Sequence, residues 1–366
     1  MNYHTCKMKI FCTIALFTFI AIMAMAFLQP PQAEAIRIGN VVGAIQQQQE
    51  IRKALKYYDN EGRHELFGAL KKEDGVCADA DANDLVDRIM SRITAAVAKS
   101  DPSITAKPYN YFVNNQTFFN AYCSLGHNVS VNIGAIWFLD YNEDMLAAVV
   151  AHELVHGQKS HPLKGAEKKL SVDFVMNVVG AELGGVNGLA ASVVAVHAKN
   201  TGVTKPNEWE ADNIAFTYMV DAGYNVGSPA AVWQRVIDST KNSAKKSSLD
   251  SILNPSTHPN TTDRRDNYAK KLTEYSKGKV IVDANTGEVK VNGKIFMQPV
   301  AAGDFSALER TYFVAGNLAA IYNAGGEGAT AHVENGTVKI GPKAIVTPAT
   351  GDVSANDLVS TLNSIK

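Results

Sequence analysis

The chain has 366 residues, 46% of them apolar, which is enough to bury at least one full core and leaves room for a second, smaller unit. Its 35 Lys and Arg nearly balance 36 Asp and Glu, so no field of one sign points to nucleic acid or an anionic membrane surface as the partner. Composition excludes a disordered chain and leaves the function to local motifs.

Lys7 and Lys9 precede an uncharged, mostly apolar run from Ile10 to Leu28, which Pro30, Pro31 and Ala33-Glu34-Ala35 follow. That order predicts a secretory signal peptide over residues 1–35, cut after Ala35, and places the remainder outside the cytoplasm, periplasmic or secreted. The run is also long enough to span a bilayer, so an uncut anchor is the other reading, and membrane association is expected only in that case. Cys6 and Cys12 fall in the leader, which leaves Cys77 and Cys123 as a pair in a compartment that permits disulfides. One Cys77–Cys123 bridge is expected, with two buried free thiols as the alternative. Neither cysteine has metal-site spacing.

Apolar residues at intervals of three and four predict amphipathic helices over Ile45–Tyr58 and Asn83–Ala98, both bracing the core. Tyr109–Val113 and Val129–Ile133 are short and rich in β-branched and aromatic residues, which predicts two strands flanking a turn near Gly126. The second should offer an edge along which an extended peptide pairs. A helix is expected from Asn142 through His156, with Glu143 and Asp144 at its positive end. Val172–Val196 is crowded with Gly, Ala and Val but interrupted by Asn177, Glu182 and Asn187. It reads as a packing helix region, with a membrane hairpin as the other reading.

Glu208–Ala222, Pro229–Ser239 and Thr262–Ser276 read as helices. The character changes near Gly278, where Val280–Val282 and Val289–Val291 around Asn285–Gly287 form a hairpin pattern, so a domain boundary is expected there. Ala307–Tyr322 reads as a helix. A second hairpin pattern covers Val333–Ile340 around Asn335-Gly336, and Val338-Lys339-Ile340 faintly echoes Val289-Lys290-Val291. The expected fold class is α+β: a mainly helical zincin-type core with a small sheet over 36–277, and a small C-terminal α+β accessory unit over 278–366.

The chemistry concentrates in His152-Glu153-Leu154-Val155-His156, a His-Glu-x-x-His pattern within an apolar helical stretch. Four residues apart, the two histidines face one way, and Met145 and Val149 continue their stripe. They can direct ring nitrogens at one tetrahedral ion while Glu153 reaches a water on it. Two ordinary histidines on a partly buried helix would look alike, so a third ligand is needed. His161 fails as a metzincin ligand, because the positions that pattern reserves for Gly and His hold Lys159 and Pro162. It is expected just past the helix end, beside the site or on the surface.

Asn207-Glu208-Trp209-Glu210-Ala211-Asp212 opens a later helix with dense carboxylates. Glu208 and Asp212 share a face, so Glu208 can ligate the ion while Asp212 takes a hydrogen bond from a ligand histidine and fixes its tautomer; Glu210 points roughly the other way. A solvated acidic helix start would look the same, and the paired histidines favour the ligand reading.

With these motifs the sequence resembles the HtpX- and BepA-type zinc metallopeptidases, gluzincins related to the CAAX prenyl protease and to mitochondrial Oma. Asn120-Ala121-Tyr122 resembles the family's Asn-Ala-Phe segment, Asn142–His156 its catalytic helix and Glu208–Asp212 its Glu-x-x-x-Asp motif. Thr257-His258-Pro259 with Arg264 resembles its His-Pro-x-x-x-x-Arg segment. The resemblance implies one zinc ion per chain on His152, His156 and Glu208, Glu153 as general base and Asp212 orienting a ligand. It implies for His258 either a plug on the open metal position, an oxyanion contact or a plain surface loop, and for Arg264 an anchor of that loop.

The chain departs from the family at Leu125-Gly126-His127, where a Gly-Gly pair is usual, and in its β-rich tail. The expected function is a zinc metalloendopeptidase acting on misfolded or misassembled extracytoplasmic polypeptides, with an envelope protein as a partner of the tail. An assembly factor with a self-inhibited protease site is the alternative. The relation to prenyl proteases would suggest lipidated peptides, but the sequence lacks the several long spans that reading needs.

Overall fold

Asn142 starts the central helix: its side chain accepts the Met145 N–H at 2.9 Å, which satisfies an otherwise orphaned donor of the first turn. The computed structural model describes residues 38–170, 203–241 and 259–366. The leader, Val172–Val196 and His258 lie outside the described residues. By contacts the chain divides into Met1–Gln46 and Gln47–Lys366, and apart from the first turns of α1 every element below belongs to the second.

Three helices, α1 (Ile38–Asp59), α2 (Arg63–Asp74) and α3 (Ala80–Ser100), lead into strands β1 (Asn110–Asn114), β2 (Ala121–Ser124) and β3 (Asn128–Asn132) and the short α4 (Ile133–Phe138). Then come α5 (Glu143–Gln158), α6 (His161–Lys169), α7 (Lys205–Asp221), α8 (Ser228–Thr240) and α9 (Thr261–Tyr275). The fold is α+β, mainly helical with small sheets. Among the described residues, no helix is long and apolar enough to cross a membrane.

Helix α5 is buried on nearly every side, and Met145, Leu146, Val150, Leu154 and Val155 have no exposure, as expected of a helix at the centre of a core. It packs against α3, α7, α8 and β2. Each fully buried Leu here contributes about 2 kcal/mol. Gly157 lets the sheet approach its last turn, since a Cβ there would stand 2.8 Å from Cys123 Sγ and 2.9 Å from the Tyr109 ring. Tyr109 Oη donates to the Leu154 carbonyl across this contact.

The first sheet has the order β1-β3-β2, with β1 parallel and β2 antiparallel to β3. The turn near Gly126 therefore joins β2 to β3, and β1 meets β3 only after the excursion through β2. This corrects the expected peptide-binding edge: β3 is the middle strand, paired on both sides, and the edge beside α5 is β2. All four β2 residues are buried, so no alternation betrays the strand in the sequence.

The cysteines are also corrected. Cys77 and Cys123 are both free. The Cys77 N–H donates to Val113 O at 2.9 Å on the outer side of β1, whereas Cys123 lies on β2 opposite Val129. With β1 and β3 between them, spacings of about 4.8 Å per strand put the pair roughly 14 Å apart. A disulfide needs Cα atoms within about 7 Å.

Gly126, with φ +72°, carries the unusual Leu125-Gly126-His127 turn; a Cβ there would lie 2.5 Å from Arg63 Cβ. The N-terminal helices brace it: Arg63 Nε donates to Gly126 O at 2.8 Å, and Gly126 N–H donates to Asp59 at 2.9 Å.

The C-terminal segment contains two antiparallel sheets, β4 (Val280–Asp283), β5 (Glu288–Val291) and β6 (Lys294–Met297), then β7 (Ala331–Glu334), β8 (Thr337–Ile340) and β9 (Lys343–Val346), each followed by a helix, α10 (Ala307–Asn323) and α11 (Ala355–Ile365). The echoing strings are β5 and β8, and both carry a register irregularity at the same place, Val289/Lys290 and Val338/Lys339. Both helices start after Gly-Asp-x-Ser-Ala, with Ser306 and Ser354 capping the N–H of Glu309 and Asp357. The segment is thus a βββα duplication. Helix α10 packs on β4, β5 and β9, and α11 on β7, β8 and β6, so each helix reaches into the other repeat. Arg310 and Asp352 tie the repeats together at 2.6 Å. Helix α10 also packs on α8 and α9.

Candidate metal centre

Helix α5 sets His152 and His156 one turn apart, the first 8% and the second 1% exposed. Helix α7 supplies Glu208, and the chain starts that helix early enough to do so. Thr204 and Asn207 cap it reciprocally, Pro206 fits its first turn, and the carboxylate of Glu208 sits near the positive end. His152 Nε2 and His156 Nε2 are 3.0 Å apart, and the two Glu208 oxygens each lie 3.5 Å from one of them. Ligands about 2.0–2.1 Å from a tetrahedral ion stand about 3.4 Å from one another. Two imidazoles and a carboxylate on these edges fit zinc and leave one corner for water. Among the described residues this is the one group of three such donors close enough to hold an ion.

Around the triad the charges are matched. Asp212, with no exposure, lies 2.9 Å from His152 Nδ1 and accepts Arg264 Nε at 2.7 Å, Arg264 Nη2 at 2.5 Å and Tyr268 Oη at 2.9 Å. Burial pushes its carboxyl up, but Arg264 and His152 outweigh that and bring it down to about 2. Burial and Arg264 push His152 down, while hydrogen bonds to Asp212 and Glu208 prevail and raise it to about 9. A cation bound at Nε2 must displace that proton. Burial holds His156 well below the usual histidine range.

Glu153 is buried beside the triad, and its Oε2 accepts the Cys123 N–H of the edge strand at 3.1 Å. Burial raises its carboxyl to about 7. A cavity of about 60 Å³ opens next to it, walled by Phe119, Val149, Val232 and Trp233.

Arg264, expected as a loop anchor, is buried on α9 within the centre itself. Besides gripping Asp212, its Nη1 stands 3.4 Å from Glu208 and its guanidinium lies 3.9 Å from the Trp233 ring centroid. The loop it was expected to anchor lies outside the described residues, as does His258. Removing the guanidinium would strand the Asp212 carboxylate in the interior. Arg264→Met is therefore expected to destabilise the metal-free protein by about 3–5 kcal/mol. A denaturant midpoint at constant slope measures this, and a loss below about 1 kcal/mol would contradict the pairing.

Two further residues adjoin the centre, one that the sequence left between two readings and one that it set aside. His161, expected beside the site or on the surface, is buried with Nδ1 3.0 Å from His156 Nδ1. Its Nε2 lies 3.1 Å from Glu210, the carboxylate that points away from the triad. The signal was Pro162: a proline directly after His161 marks a new helix start, and Ser160 at φ +54° turns the chain back to begin it.

The sequence model of peptidase family M48 matches residues 82–271, from α3 into α9, and so spans every residue of the centre. The chain is similar to the beta-barrel assembly-enhancing protease of Escherichia coli K12, 22% identical over 147 residues, 38% of this chain and 30% of that protein. The Yersinia pestis protein of that name is 25% identical over 143 residues, 37% of this chain and 29% of that protein. A related Vibrio cholerae serotype O1 protein is 23% identical over 215 residues, 56% and 42% of the two chains. The chain thus covers less than half the length of these curated relatives.

Proposed function

The chain belongs to peptidase family M48, and from that premise we propose a zinc-dependent metalloendopeptidase in which His152, His156 and Glu208 hold one zinc ion per chain and Glu153 is the general base. The observation that carries the proposal is the buried His-His-Glu triad with tetrahedral edge lengths and a carboxylate beside it. Zinc bound there supplies Lewis acidity, which acidifies water and polarises a peptide carbonyl.

The protein's own residues do the rest. Cys123 N–H holds one oxygen of Glu153, which leaves the other free to take a proton from the attacking water and deliver it to the departing amine. Burial raises that carboxyl in the metal-free protein, which favours its holding the proton it takes. Asp212 keeps His152 facing the ion, and Arg264 keeps Asp212 charged. An extended substrate pairs along β2, whose Ala121 borders the cavity, a geometry that suits cleavage within chains rather than at their ends.

The natural substrates in this reading are misfolded or misassembled polypeptides outside the cytoplasm, and the duplicated C-terminal segment is an accessory unit that meets an envelope protein. The leader-like N-terminus and the names of the relatives support it. Metal analysis tests the core of the proposal. Purified protein should carry one zinc per chain, and casein cleavage should vanish with a chelator and return with zinc. Cleavage by metal-free protein would end it.

A further inference from the structure

The two histidines of the triad are held differently. His152 Nδ1 meets a carboxylate directly, at Asp212. Among the described residues His156 Nδ1 meets no carboxylate; it faces His161 Nδ1, whose far nitrogen meets Glu210. We propose that His161 is a positioning residue, a relay that couples Glu210 to His156 and holds the His156 ring in the orientation and tautomer that metal binding needs. The inference rests on the triad being the metal site.

The proton assignments follow in one direction. A His156 that offers its Nε2 lone pair to a cation carries its proton on Nδ1. Among the described residues the partner of that N–H is His161 Nδ1, which must then be the acceptor. His161 is left with its proton on Nε2, where it donates to the Glu210 carboxylate at 3.1 Å. Each nitrogen in the chain thus has one role, and reversing any link would leave two N–H groups or two lone pairs face to face. The anionic end strengthens both hydrogen bonds and makes His156 a better donor. His161 is buried, so no water competes for the central link. Glu210 is about half exposed, so its share is the smaller one.

Zinc affinity of the full chain, measured by chelator competition, tests the relay without reference to turnover. His161→Leu fills the space but can neither accept nor donate, and should weaken zinc binding about 10- to 100-fold, the scale for outer partners of metal ligands. His161→Gln, which accepts at one atom and donates at another, should recover most of that loss. The cobalt-loaded His161→Leu protein should show a shifted visible spectrum, because the His156 ring is free to rotate.

Wild-type affinity in His161→Leu, or equal loss in His161→Leu and His161→Gln, would overturn the relay and leave packing as the role of His161. Should neither variant fold, Glu210→Ala decides. This half-exposed substitution should weaken zinc in the same direction by a smaller factor, and unchanged affinity would overturn the inference. A wild-type protein that binds no zinc would instead sink the metal reading itself.

Discussion

Glu153→Gln should lower kcat/KM for casein about a thousandfold, within the range for loss of a positioned proton-transfer group, while the protein still holds one zinc per chain. The amide is nearly isosteric, and its oxygen can still accept the Cys123 N–H that now binds the carboxylate. What it lacks is a basic oxygen to take a proton, so the loss falls on turnover and spares metal binding. Retained cleavage, or a loss below about tenfold, would remove Glu153 from its role. Loss of zinc along with activity would mean that the substitution disturbed the triad rather than the chemistry.

Glu208→Ala should empty the centre. The substitution leaves two imidazoles 3.0 Å apart and takes away the one anionic ligand, so the ion would lose the carboxylate that now stands 3.4 Å from the Arg264 guanidinium. Zinc affinity should fall by more than the 10- to 100-fold typical of outer partners, and casein cleavage should fall to background. Metal content after dialysis and the casein assay on one preparation check both. Stoichiometric zinc in the Glu208→Ala protein would show that the third ligand is another residue. Folding is a separate readout, because the guanidinium beside Glu208 keeps Asp212 as its main partner.

Much of this arrangement was legible in the sequence because helices write their buried face at a fixed period. The stripe through Met145, Val149, His152 and His156 locates α5, and the cap at Asn142 locates its first turn. Glu208 and Asp212, one turn apart, converge on that stripe as their spacing implies, and their meeting with His152 and His156 is visible in the distances. Strand β2 was not legible, since four residues buried on both faces carry no alternation. Without β2 the order of the sheet could not be deduced, and the edge was assigned to β3. The Cys77–Cys123 pairing failed for the same reason, because sequence separation says nothing about how many strands lie between two residues. Glu210, set aside in the sequence as facing away from the triad, is about half exposed and meets His161. A helix that folds back under the end of α5 brings it a partner that one-helix geometry cannot foresee.

The crossing of α10 and α11 packs each of the two C-terminal repeats against a strand of the other. Deleting the second repeat would strip β9 from α10 and leave β6 uncovered by α11. The bared face of α10 would then belong to a helix that packs against α8 and α9, the helices that carry Trp233 and Arg264. A chain trimmed at the midpoint of its tail would therefore lose solubility, and slackness would spread from there towards the buried cluster of His152, His156 and Glu208.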